Sequence, residues 1–243
     1  MEIVEIVLSA LAVLLILTIH EYAHAYAAYK LGDNTAKNLG RLSLNPLKHL
    51  DPFGAICMIL FHFGWAKPVP INERNFRNPK RDFAITALAG PLSNMIFAFL
   101  SAFLLLLVRN LYSGIGDTDS FAAALVLNLY MFLVIFHQIN IGIGLFNLIP
   151  IPPLDGSRIL NVILPPKYYF GIMKYERKIY LGLIIWLAFG DLLKGAALSV
   201  PFIAASPFLS TAVGILSLSD MLGYLIMLLS KAMISFWQLL PFL

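Results

Sequence analysis

The chain opens on an apolar run that extends almost without interruption from Ile3 to Ile19 and continues, mixed with polar residues, to Lys30. This pattern predicts a helix over residues 3–30, at a rise of about 1.5 Å per residue long enough to cross a bilayer and emerge. Residues 31–53 are polar and broken by glycine and proline. Residues 54–66, "GAICMILFHFGWA", are apolar again but too short to span, and "KPVPIN" closes them. Together they suggest a re-entrant or interfacial hairpin, a backbone that survives at membrane depth only inside protein or beside a wet cavity. Further apolar runs predict helices over 83–108 and 121–146. Three prolines in "NLIPIPPLDGSRIL" then break the pattern, and a short helix is expected after Asp155. Another span is expected at about 178–199. The last stretch, broken by Pro201 and Pro207, is read as one more span plus an interfacial segment. The predicted fold is an all-α polytopic membrane protein with five to six transmembrane helices.

Composition confirms the solvent. Hydrophobic residues make up 60% of the chain and charged ones only 12%, against about 25% in an average soluble domain. So little charge cannot cover a water-soluble fold, and the chain is expected to live in the lipid bilayer. A single cysteine, Cys57, excludes an intrachain disulfide and a multi-cysteine metal site. The net charge of +4 is too small to suggest a nucleic-acid partner. Its distribution is more telling. Nine of the seventeen Lys and Arg residues lie between Lys30 and Arg81, five more lie between Arg158 and Lys178, and the 110–120 linker has none. With the predicted helices, both basic stretches fall on one side, which the positive-inside rule makes cytoplasmic, leaving the N-terminus outside. The acidic start "MEIVE", with no small-residue cleavage site before His20, reads as a retained helix rather than a leader.

The first helix then does something costly. "HEYAH" sets His20, Glu21 and His24 inside a membrane-type segment, where each charged side chain costs roughly 2.5–3.5 kcal/mol even on a lenient scale. Histidines four apart project from one helix face and can share one zinc ion, with the intervening glutamate placed to take a proton from water that the metal acidifies. A buried cation or a proton relay would each explain the cluster. Two histidines leave a zinc site short of a ligand. Asp33, Asp51, Glu73, Asp82, Asp117, Asp119, His137 and Asp155 are the candidates for a third. Asp155 has suitable depth if its proline-broken loop dips inward, but an Asp before Gly and Ser can equally cap the next helix.

These residues, taken with "GRLSLNPLKHLDPFG", "FGWAKPVPIN", "RNFRNPKRDFAITALAGPLSN" and "NLIPIPPLDG", resemble the site-2 protease family of intramembrane zinc metalloproteases, in its compact prokaryotic branch without PDZ or CBS domain. The similarity covers about residues 14–165. It implies a metalloprotease membrane core over 1–165, with a short re-entrant β-hairpin near residues 54–71 and with 166–243 forming C-terminal membrane helices of the same domain. It implies one Zn²⁺ per chain held by His20, His24 and Asp155, with Glu21 as the catalytic base. Asn94 matches a polar residue associated with substrate or the developing oxyanion. Asn147 is placed along the same cleft, and Asn140, seven residues earlier on a similar face, joins it as a candidate substrate contact. The implied substrates are single-pass membrane proteins or membrane-embedded peptides, cut in a prokaryotic cell membrane at a site nearer the cytoplasmic face.

Blander roles compete for several of these residues. Asn94 could simply bond a neighbouring helix, Gly90 and Pro91 could form a packing notch or kink, and His137 reads as a packing residue. His49 and His62 are expected in loops or at interfaces, and Trp65, Tyr168, Tyr169, Trp186 and Trp237 at membrane interfaces. Two other functions fit the membrane setting. One is a proton or metal-ion transporter using the His/Glu cluster, though its ionisable residues gather at one depth and no inverted repeat is visible. The other is a non-catalytic membrane scaffold, against which the intact motif argues.

Overall fold

The computed structural model describes residues 2–54, 66–116, 120–199, 206 and 218–240. The described residues are almost all helical. α1 spans Glu2–Lys30 and α2 Thr35–Asn38. Two 3-10 turns follow at Pro46–Lys48 and Glu73–Asn75. α3 spans Pro79–Ser113, α4 Phe121–Leu148, α5 Asp155–Ile163, α6 Pro166–Met173, α7 Glu176–Leu198 and α8 Leu218–Trp237. Among the described residues four helices are long and apolar enough to cross a membrane: Ile3–Lys30, Pro79–Ser113, Phe121–Leu148 and Asp220–Trp237. The region expected as a span at 178–199 is helical within α7, Glu176–Leu198, and part of the stretch that would complete the expected five to six lies outside the described residues.

α3 is the central element and touches α1, α4, α5 and α8. Its sequence is inside-out relative to a soluble helix. Leu88, Leu92, Ile96, Leu100, Leu104, Leu107 and Leu111 form an exposed stripe at helical spacing. The buried face is small or polar: Thr86, Ala87, Gly90, Pro91, Asn94, Ala98, Ser101 and Ala102. Lipid tails are as apolar as leucine, so burying leucine gives little drive. Small residues let backbones approach, and polar ones bond across helices. α3 is longer at both ends than the apolar run. Pro79 occupies its first turn, and the buried Asp82 accepts a hydrogen bond from the Asn78 N–H at 2.9 Å, which extends the helix into the polar linker. At the other end it continues through Arg109 to Ser113 before Gly114. Ser120 caps α4 through the Ala123 N–H.

Two glycines lie where helices meet. A Cβ on Gly144 of α4 would lie 2.3 Å from Met95 Cε, the free end of a flexible side chain, and 3.3 Å from both Asn94 Cβ and the Pro91 carbonyl oxygen, so position 144 faces α3 at close range. A Cβ on Gly156 would lie 2.3 Å from the carbonyl oxygen of Leu148 and 2.6 Å from that of Ile149. This contact folds the start of α5 back onto the end of α4, across a turn containing the cis Pro152–Pro153 peptide.

The C-terminal helices are tied to this centre. Leu154, Leu183 and Leu218 form one buried cluster, a Lys194–Asp220 ion pair joins α7 to α8, and the Trp237 indole N–H donates to the Phe99 carbonyl at 2.9 Å while its ring packs on Phe99 and Phe103. Trp237 is therefore a packing anchor as well as an interfacial aromatic. Most of the re-entrant hairpin expected near 54–71, with His62 and Trp65, lies outside the described residues. What is described is its approach: an antiparallel bridge pairs Leu50 with Ala66, and the Lys67 N–H donates to the His49 carbonyl at 2.8 Å.

Candidate metal centre

α1 carries His20 and His24 one turn apart on the face turned to α3, and both are buried. The rings lie edge to face, 4.6 Å between centroids. Their approach depends on Gly90, because a Cβ there would lie 2.3 Å from His24 Nε2 and 2.7 Å from His20 Cε1. Asp155, the first residue of α5, which also packs against α3, reaches the same point. His20 Nε2 and His24 Nε2 are 3.0 Å apart, and each is 3.2 Å from Asp155 Oδ2.

The chemistry of these donors can be tested against a metal. His24 Nδ1 lies 2.7 Å from the main-chain oxygen of Thr86. That oxygen can only accept, so Nδ1 carries the hydrogen and Nε2 turns a lone pair toward the triangle. The Asp155 carboxylate is an acceptor too. A proton would satisfy one pair of these atoms, whereas a divalent cation satisfies all three. A tetrahedral zinc with bonds of about 2.0–2.1 Å places its ligand atoms about 3.3–3.4 Å apart, close to the separations seen. His20, His24 and Asp155 are the group among the described residues that could hold a metal ion, and the site fits one.

The other described candidates for a third ligand lie away from this triangle. Asp33 is fully buried in the loop after α1 and accepts from the N–H groups of Thr35 and Asn72, the Thr35 hydroxyl and the Asn75 amide. Burial disfavours its charge, but these hydrogen bonds prevail and hold the carboxyl below its ordinary value. Asp51 accepts from the Gly54 N–H, Glu73 opens a 3-10 turn, and Asp82 caps α3. His137 is a packing residue, contacting Ala98 O, Ser101 and, through Nε2, Ser230 of α8. Asp117 and Asp119 lie outside the described residues. His49 sits in the loop as expected, but it is buried there, with Nε2 against Ser43 O at 2.7 Å.

Glu21 Oε2 accepts from the Val69 N–H at 2.8 Å. Val69 lies between Pro68 and Pro70 in an extended segment that Arg41 fixes by donating to Lys67 O at 2.6 Å. Asn94 is fully buried beside the metal site, with Oδ1 2.6 Å from His20 Nδ1 and its amide donating to Asn140 Oδ1 at 3.0 Å. Asn140 in turn donates to Phe136 O at 2.8 Å. Both amides are thus engaged within the protein. Asn147 is partly buried and donates to Ile143 O one turn back on its own helix, at 3.0 Å. The sequence did not point to Thr86, Val69 or Phe136, which act through main-chain atoms that no residue type advertises. Gly90 carried a signal, since glycine inside an apolar helix marks close approach.

The sequence pattern of peptidase family M50 matches residues 8–168. "Putative zinc metalloprotease YwhC" of Bacillus subtilis is 48% identical over 149 residues, 61% of this chain and 65% of that protein. "Putative zinc metalloprotease Rip2" of Mycolicibacterium smegmatis is 31% identical over 158 residues, 63% of this chain and 56% of that protein. "Zinc metalloprotease MJ0392" of Methanocaldococcus jannaschii is 29% identical over 174 residues, covering 71% and 39% respectively. The chain thus spans less than two thirds of the length of each of these relatives. No solved structure matches it. The stretch in common contains the two histidines, Glu21 and Asp155, and the chain belongs to peptidase family M50.

Proposed function

We propose that this membrane protein is an intramembrane zinc metalloprotease that hydrolyses peptide bonds within or next to the transmembrane segments of membrane-anchored proteins. The observation that carries the reading is the triangle of His20 Nε2, His24 Nε2 and Asp155 Oδ2, with 3.0–3.2 Å sides, in a chain of a peptidase family. His20, His24 and Asp155 would hold the ion. When bound, zinc supplies Lewis acidity to the scissile carbonyl and brings the pKa of water to about 7. Glu21 takes the proton of the attacking water and delivers it to the leaving amine nitrogen. The Val69 N–H orients that carboxylate. The basic stretches at 30–81 and 158–178 favour an active site nearer the cytoplasmic face and an N-terminus outside. Residues 1–165 and 166–243 act as one membrane unit, supported by the packing of α8 on α3 and α4.

The test uses the full chain purified in nanodiscs. It is expected to hold about one zinc per chain and to cleave a membrane peptide whose helix is weakened by glycine or proline. Glu21→Gln is expected to keep its zinc and lose cleavage by about 10²–10⁴-fold, the usual worth of a general base. Undiminished cleavage by that variant would overturn the assignment of Glu21. A zinc-free active wild type would overturn the metal.

A further inference from the structure

His20 is bonded to a side-chain amide, and an amide can present either its oxygen or its NH2. What decides the matter lies two residues away. Phe136 O is a main-chain carbonyl and can only accept, so Asn140, 2.8 Å from it, must present its NH2 there and its oxygen to Asn94. Asn94, 3.0 Å further on, must then donate its NH2 to Asn140 and turn its oxygen to His20. His20 Nδ1, 2.6 Å from that oxygen, must carry the hydrogen. The polarity of the whole chain is therefore set at its far end and does not depend on how any amide is assigned. All three side chains are nearly inaccessible, with His20 at 5%, Asn94 at 0% and Asn140 at 1% exposure, so water is not at hand to supply an alternative partner.

We propose that Asn140 is a positioning residue that sets the tautomer of His20, acting through Asn94. It touches neither the metal nor a substrate. It keeps the His20 lone pair on Nε2, the atom that faces His24 and Asp155, without changing the charge of the ring. Asn94 without this anchor is free to turn its NH2 toward Nδ1. That rotation moves the proton of His20 to Nε2 and closes the nitrogen that must bind the ion. Gly144, one turn along α4 from Asn140, marks the level at which α4 packs against Asn94. The importance of the tautomer rests on the metal reading above, whereas the tautomer itself can be read without metal.

The experiment has two readouts on the full chain. In metal-free protein, ¹⁵N-histidine NMR reports the His20 tautomer, assigned with His20→Gln. In a chelator competition, zinc alone reports affinity. Wild type is expected to show Nδ1–H. Asn140→Leu, of similar volume, is expected to show a mixture with Nε2–H and to bind zinc about 10–100-fold more weakly, the usual effect of losing a partner of a ligating histidine. Asn140→Asp, whose protonated carboxyl keeps one donor and one acceptor, is expected to restore both readouts. Should Asn140→Leu fail to fold, Asn140→Ala carries the same expectation. An unchanged His20 tautomer in the Leu or Ala variant overturns the proposal. A shifted tautomer in a protein whose wild type binds no zinc upholds it and sinks the metal reading instead.

Discussion

Adding one methyl group at Gly90 tests the geometry of the centre most directly. In Gly90→Ala the new Cβ lies 2.3 Å from His24 Nε2, 2.6 Å from His24 Cε1 and 2.7 Å from His20 Cε1, where ordinary contact begins at 3.4 Å. Relief needs 3.4 − 2.3, or 1.1 Å, at the His24 nitrogen and 3.4 − 2.7, or 0.7 Å, at the His20 ring. Neither ring can yield alone, since Thr86 O holds one and Asn94 the other. Metal–ligand distances tolerate only about 0.2 Å, so both nitrogens leave the triangle. Zinc affinity is expected to fall at least about 100-fold, and cleavage by a similar factor, the effect of an ångström of misplacement at a reacting centre. Stability should respond differently. Alanine is favoured over glycine in a helix by about 1 kcal/mol, which offsets part of the roughly 1–3 kcal/mol of overpacking. The metal-free melt should therefore move little while the metal is lost. Gly182→Ala in α7, with nothing within 4 Å, is the matched control. Zinc affinity and cleavage within threefold of wild type in Gly90→Ala would refute the arrangement of α3 against the two histidines.

Two other substitutions probe the supports. Gly156→Ala drives a Cβ into the carbonyl oxygens of Leu148 and Ile149, 2.3 and 2.6 Å away. It is expected to displace Asp155 and lower zinc content in chelator competition while leaving the ¹⁵N signature of the His20 tautomer intact; normal zinc affinity would show that α5 does not position the ligand. Asp33→Asn removes the charge from a carboxylate that receives four hydrogen bonds and should cost about 3 kcal/mol at pH 7. The folded pKa of Asp33 is lowered, so its contribution is fully present above the unfolded value of about 3.9 and is lost as pH falls below it. Chemical melts of both proteins are expected to converge toward pH 3, and a gap that stays constant from pH 7 to 3 contradicts this.

What could be read from the sequence, and what could not, divides along physical lines. α1 and α4 were legible because an apolar run of bilayer length has few alternatives. His20 and His24 were legible because a helix fixes where residues four apart point. Asp155 was not decidable from spacing. Its position depends on a turn that folds back because Gly156 is bare, and other acids had comparable claims until the fold gave Asp33, Asp51 and Asp82 partners elsewhere. α3 outgrew its apolar run at both ends because Asn78 and Asp82 provide capping chemistry that hydropathy does not register. Asn94 and Asn140 were picked out correctly as unusual polar residues in membrane helices. Their engagement with each other could not be foreseen, because it requires knowing that α3 and α4 meet at Gly144.

The extended segment through Val69 carries one last implication. Its neighbours Pro68 and Pro70 have no amide hydrogen, so between Lys67 and Ile71 the segment offers the Glu21 carboxylate one N–H, that of Val69. A base with a row of amides to choose from could slide between them and blur its aim. Here it has a single parking place, which a hydrogen bond to a charged group makes worth about 1.5–3 kcal/mol, and leaving it is a discrete event rather than a drift.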